Sequence, residues 1–138
     1  MKAKLRPLVH ALVVASLLLV RFGPADAHHS FAADFDTMTP VTVTGVVTSI
    51  RWTNPHAQFY VDAKNPSGSV ENWRFELGSV NMLVRYKFTK NTIKVGDTIT
   101  VEGYRARDGS TFANAKTIKL PDGRIFSGGS SLGNVDTQ

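Results

Sequence analysis

The sequence predicts an all-β domain with one short helix, built as a five-stranded OB-like Greek-key barrel in the order β-β-β-α-β-β. Three observations predict it. Five segments beyond residue 40 are rich in Val, Thr, Ile and aromatic residues, and the clearest of them alternate with a period of two. A single segment, between the third and the fourth, changes to helical spacing. Gly, Pro, Asn and Asp mark the joints. An OB barrel carries its helix at that place in the order, as a plug for one end. An open β-sandwich with a helical connection is the competing architecture.

The first strand is Val41–Trp52, VTVTGVVTSIRW. Its β-branched residues suit a pleated, half-buried surface. The alternation of Val41 and Val43 changes phase at Gly45-Val46, which predicts a bulge there. Thr53-Asn54-Pro55 is a turn. His56–Lys64 puts Ala57, Phe59 and Val61 on one face, with His56, Gln58, Tyr60 and Asp62 on the other. Asn65-Pro66-Ser67-Gly68 is a hairpin loop. Val70–Leu77 places Trp73, Phe75 and Leu77 inward and Asn72, Arg74 and Glu76 outward.

Ser79 is a helix N-cap, and Val80, Leu83, Val84 and Phe88 follow at helical spacing, so the helix is Ser79–Phe88. Lys94–Asp97 turns into the fourth strand, Thr98–Ala106, and Asp108-Gly109 into the fifth, Phe112–Leu120. Pro121-Asp122-Gly123 leads to a short extension, Arg124–Phe126, and residues 127–138 form a Gly/Ser-rich disordered tail. The expected core is Val43, Ile50, Phe59, Val61, Trp73, Phe75, Leu83, Ile99, Val101 and Ile118.

Ahead of the barrel lie two further segments. Lys2, Lys4 and Arg6 precede a 13-residue stretch, Leu8–Val20, apolar except for His10 and Ser16, and then Ala25-Asp26-Ala27. That is the order of a secretory signal peptide, residues 1–27. The stretch is shorter than the ~20 residues a membrane span needs, so no span is expected after cleavage. Residues 28–40 form a leader with little periodicity, in which Phe31 and Phe35 are a helical turn apart or serve as anchors across the barrel.

Charge must be assigned after that cut. The full chain of 138 residues has 16 Lys+Arg against 11 Asp+Glu. Cleavage after Ala27 removes four bases and one acid, which leaves 12 and 10, a net charge of +2 on 111 residues. The excess positive charge belongs to the signal, and a nucleic-acid partner is not expected. The chain has no cysteine, which excludes disulfides, thiolate metal sites and Cys nucleophiles. No nucleophile elbow, phosphate loop or dinucleotide fingerprint occurs. The sequence thus offers no catalytic constellation.

The cut would leave His28 as the amino terminus. A terminal His presents its α-amine and its imidazole Nδ1 to one metal ion, and one more imidazole completes a T-shaped, all-nitrogen site. Such tetragonal nitrogen sites favour Cu(II). His56, behind Pro55, is the third donor, and His29 is the reserve. Asp34 and Asp36 are candidate oxygen donors. The alternative is a ligand face on the barrel made by Tyr60, Arg74, Gln58 and Trp52, since OB barrels bind ligands on their second and third strands.

The chain resembles a family of small exported proteins of Gram-negative proteobacteria classed as a domain of unknown function. The resemblance rests on His28-His29-Ser30-Phe31, on Trp52-Thr53-Asn54-Pro55-His56, and on Asn72-Trp73-x-Phe75-Glu76. It continues through Gly96-Asp97, Val101-Glu102-Gly103-Tyr104-x-Ala106-x-Asp108-Gly109, Ala113-Asn114-Ala115 and Leu120-Pro121-Asp122-Gly123-Arg124. The chain departs from it at Glu76–Ser79, where a stretch richer in Gly and Pro is expected ahead of the helix. The resemblance implies export and a small β-domain, and no activity.

Two readings follow from different classes. One is a periplasmic metal-binding protein that uses His28 and His56. The other is a non-enzymatic periplasmic module that docks a partner protein or small ligand on its barrel face.

Overall fold

A computed structural model describes residues 31–129. The elements are β1 Phe35–Arg51, β2 Gln58–Lys64, β3 Val70–Glu76, α1 Val80–Arg85, β4 Thr98–Ala106, β5 Phe112–Lys119 and β6 Ile125–Ser127. The strands lie in the order β3-β2-β1-β4-β5-β6, and β3 also pairs with β5. That last pairing is parallel, joining Arg74–Glu76 to Phe112–Asn114, and it closes five strands into a ring. This is the OB fold, with the expected order and the helix in the expected place.

The long first strand makes the ring possible. Residues Pro40–Val46 pair with β4, Val46–Arg51 pair with β2, and Val46 takes part in both ladders. The expected bulge at Gly45-Val46 is not there. Val41, Val43, Gly45 and Val47 stay in phase, and the register shifts between Val47 and Ser49, where Thr48 is the extra residue. Gly45 has another task. A Cβ on it would overlap the Asp62 carbonyl oxygen and lie 2.7 Å from Val61 Cγ1. The glycine lets β1 and β2 approach where the strand changes partners.

The inward faces of β2 and β3 come out as the period of two requires. Phe59, Val61 and Phe75 are fully buried, with Phe59 and Phe75 stacked at 5.3 Å between centroids and Trp73 against Phe75 at 6.1 Å. Of the expected core residues, only Ile50 is half-buried, packed at the cluster's margin. Each buried large apolar side chain contributes about 1.5–3 kcal/mol.

Helix α1 is shorter than Ser79–Phe88. Ser79 is its N-cap, with Oγ accepting from the Met82 N–H at 3.3 Å. The helix ends at Arg85, and Lys87 adopts a left-handed φ of 63° that turns Phe88 back into the core. Leu83, Phe88 and Ile93 are buried and fill one barrel end.

Two further expectations are corrected at the margins. Strand β1 begins at Phe35, so the leader ends six residues earlier than Pro40. Phe35 pairs with Ala106, and the register shifts before Pro40 meets Tyr104. The polar run Asp36–Thr39 hides the strand from a periodicity test, since Asp36 accepts from the Met38 N–H and the Thr39 hydroxyl, both at 3.0 Å. Residues 31–34 are helical, and Phe31 and Phe35 are buried with Ala106 in a second cluster outside the main core, edged by Tyr104 and Phe112. At the other end, Ser127 belongs to β6, and Gly128 donates to the Lys116 carbonyl and accepts from the Gly78 N–H, both at 2.8 Å. The chain is therefore tied to the barrel through Gly129, not free from Ser127 onward. A Cβ on Gly78 would overlap the Gly129 carbonyl, which explains a glycine ahead of the helix. Residues 130–138 lie outside the described residues.

Candidate functional site

The turn between β1 and β2, the start of β2 and the end of β3 enclose a cleft of about 300 Å³, lined by Arg51, Thr53, Asn54, His56, Gln58 and Glu76 among others. The β2–β3 hairpin sets its geometry. Lys64 pairs with Val70, and the ladder runs back without a shift until Gln58 meets Glu76. Main-chain bonds between Ala57 and Gly78 and between Leu77 and Ala57 extend it one step further. His56 therefore arrives diagonally across from Glu76.

His56 Nδ1 and Glu76 Oε1 are 3.1 Å apart. The His56 side chain is 51 % exposed and that of Glu76 18 %. The carboxylate is the better shielded partner, and it orients the ring. With Nδ1 turned to Glu76, Nε2 is the nitrogen left for another partner. The Asn54–Pro55 peptide ahead of the His is cis. Asn54 Oδ1 accepts from the Val80 N–H at 3.0 Å, which pins this turn to the start of α1. The histidine thus sits on a turn held by two elements.

Of the residues expected to bind metal, His56 is in this cleft, while His28 and His29 lie outside the described residues. Among the described residues, no group of three His, Asp or Glu is placed to hold a metal ion. Asp36 is engaged by its own turn, and those hydrogen bonds from the Met38 N–H and the Thr39 hydroxyl hold its carboxyl below the usual range.

The expected ligand face divides. Gln58, Tyr60 and Arg74 share the outer face of β2 and β3, with Tyr60 opposite Arg74. Arg74 lays its guanidinium 3.6 Å from the centre of the Phe112 ring, so it is spent on a cation–π contact within the fold. Trp52 does not join them. It stacks on Phe88 at 6.1 Å and packs against the core.

Glu76 completes the cleft, and neither it nor Asn114, which lies outside the cleft lining, was read from the sequence as a site residue. Asn114 stands on the outer face of β5, between Glu76 on β3 and Tyr104 on β4. It is 4 % exposed, and its Oδ1 is buried with no hydrogen-bond partner among the described residues. Such an acceptor costs about 1–3 kcal/mol when left unmade. The hairpin loop was a usable signal for Glu76, because counting back from Asn65–Gly68 pairs it with Gln58. Asn114 depends on the β3–β5 closure, which no local pattern reveals.

A family model, described as a family of unknown function, matches residues 16–115. No curated protein matches the chain. Among solved structures, the chain is similar to two crystal forms of the mitochondrial single-stranded DNA-binding protein Rim1 from S. cerevisiae. The first is 15% identical, with 60% of this chain and 93% of that chain covered at a TM-score of 0.45. The second is 14% identical, with 60% and 92% covered at 0.43.

Proposed function

Since the chain belongs to DUF6152, a family of unknown function, its role has to come from its own residues, and we propose that it binds a metal ion, Cu(II), in the periplasm. The observation that supports this reading is the His56–Glu76 contact at 3.1 Å. A metal-ligating imidazole typically gives its second ring nitrogen to a carboxylate, which fixes the tautomer and raises the basicity of the ligating nitrogen. His56 has that arrangement, with Nε2 directed away from Glu76. The other donors are the α-amine and imidazole of His28 after cleavage behind Ala27, with His29 in reserve. Three nitrogens in one plane suit Cu(II) better than the tetrahedral preference of zinc.

The reading is tested by copper titration of protein beginning at His28, against protein with one extra residue before His28. The extension keeps every imidazole and moves the amine out of the chelate ring, so it should lose most of the affinity. Equal affinity in the two proteins refutes the amino-terminal site. Amino-terminal sequencing of exported protein tests the cut itself, and should read His-His-Ser-Phe.

A further inference from the structure

The cleft carries opposite charges on facing walls, and the copper reading uses only the acidic side. Arg51 on β1 pairs with Gln58 on β2, and Gln58 pairs with Glu76 on β3. Directly opposed residues of antiparallel strands share a face, and all three line the cleft. A guanidinium and a carboxylate thus stand two strands apart, with about 10 Å between their main chains and a neutral amide between them.

The fold leaves the basic end unused. Among the described residues, the Arg51 side chain has no hydrogen bond, ion pair or ring contact. Arginines elsewhere on the barrel are engaged: Arg74 on the Phe112 ring, Arg105 on the Ser110 carbonyl, Arg107 on the Ala32 carbonyl and Arg124 on Asp122. The Gln58 amide also has no partner among the described residues. Glu76 meets His56 through Oε1, which leaves Oε2. Every lining residue except Pro55 has a polar side chain, and the volume of about 300 Å³ suits a small polar molecule.

An anion alone would meet Glu76, and a cation alone would meet Arg51. A molecule with both charges satisfies both walls. We propose that the cleft binds a free α-amino acid as its zwitterion, with the carboxylate on the Arg51 fork and the ammonium on Glu76 Oε2 and the Gln58 side-chain oxygen. Most of the site is already in place. Asn54 Oδ1 accepts from the Val80 N–H at 3.0 Å and holds the turn, and the Gln58–Glu76 ladder has no shift, so little beyond Arg51 has to be ordered. This binding needs neither copper nor His28, and so does not rest on the metal reading.

Amide NMR titration of the full chain in EDTA, with L-serine and L-glutamine as probes, decides it. The expected result is a saturable shift centred on Arg51, Gln58 and Glu76. N-acetyl-L-serine keeps only the carboxylate and L-serinamide only the ammonium, and each should bind about tenfold or more weaker than L-serine. Arg51→Gln and Glu76→Gln should each weaken L-serine by about the same factor. Arg51 is exposed and bonded to nothing in the fold, so if Glu76→Gln does not fold, Arg51→Gln carries the test. Absence of a saturable shift with both amino acids overturns the proposal, as does unchanged affinity in Arg51→Gln. N-acetyl-L-serine binding as tightly as L-serine would make the cleft a plain anion site, and L-serinamide doing so a plain cation site; either overturns it. Copper plays no part in the measurement, so a failed copper titration leaves this result standing, and the reverse holds too.

Discussion

His56 and Glu76 are twenty positions apart in the chain and meet at 3.1 Å because the β2–β3 ladder carries no register shift. A single insertion in either strand would carry the carboxylate to the other face of the sheet. The contact is a product of register, and it gives a direct test of the proposed metal site. Glu76→Gln keeps the shape and removes the charge. It should weaken copper binding about 10–100-fold, measured by competition against a chelator of known affinity, and His56→Ala should weaken it further. Binding should also fall as the pH drops below neutrality, since the α-amine, with a reference pKa of ~7.7–8.0, must be deprotonated to bind. Unchanged affinity in Glu76→Gln would detach the pair from the metal.

Trp73 lies in the core between Phe75 and Arg105, whose guanidinium is 5.3 Å from its ring. Trp73→Ala should cost ~3–5 kcal/mol in urea unfolding. A loss below about 1 kcal/mol would contradict a buried indole.

Gly45 and Gly68 are glycines for different reasons. Gly45 has no room for a side chain, while Gly68 has space around it but a φ of 85°. Gly45→Ala should cost about 1–3 kcal/mol through forced movement of β1 against β2. Gly68→Asn should be much milder, because Asn tolerates the left-handed region. Paired unfolding curves check both, and equal losses would mean that the strand contact at Asp62 is relaxed at no cost.

Asp36 lies at the irregular start of β1, Asp108 and Asp122 sit in turns, and hydrogen bonds from neighbouring residues lower all three carboxyls: Met38 and Thr39 for the first, Ser110 for the second, Arg124 for the third. A carboxyl lowered in the folded state binds fewer protons there than in the unfolded chain. Its contribution is present above the unfolded value of about 3.9 and is lost as the pH falls through the lower folded value. Stability to urea should therefore decline below about pH 4, and the triple replacement by Asn should flatten that decline. An identical slope in the triple variant would place the acid sensitivity elsewhere.

The barrel was legible because its inner faces are written locally. Ala57, Phe59 and Val61 alternate without interruption, as do Trp73, Phe75 and Leu77, and all six are buried. Strand β4 was read to the residue at both ends. The start of β1 was not legible because Asp36–Thr39 turns upon itself before the ladder resumes at Pro40. The bulge was misplaced because a glycine in a strand has two meanings, an extra residue or a close contact, and only the position of Asp62 separates them. For the site, His56 stood out by its chemistry. Glu76 and Asn114 acquire meaning only through pairing, the one by a hairpin and the other by the closure of β3 on β5.

Ring closure has a consequence for how copies of this protein meet at high concentration. Among the described strands, β6 alone has a single neighbour. It is three residues long, and Arg124 stands immediately before it. Exposed sheet edges are where one chain recruits another into aggregates, and short edges with a nearby charge are poor templates. With no disulfide in the chain, the closed ring leaves the other described strands paired on both sides, so little edge is offered to a second copy.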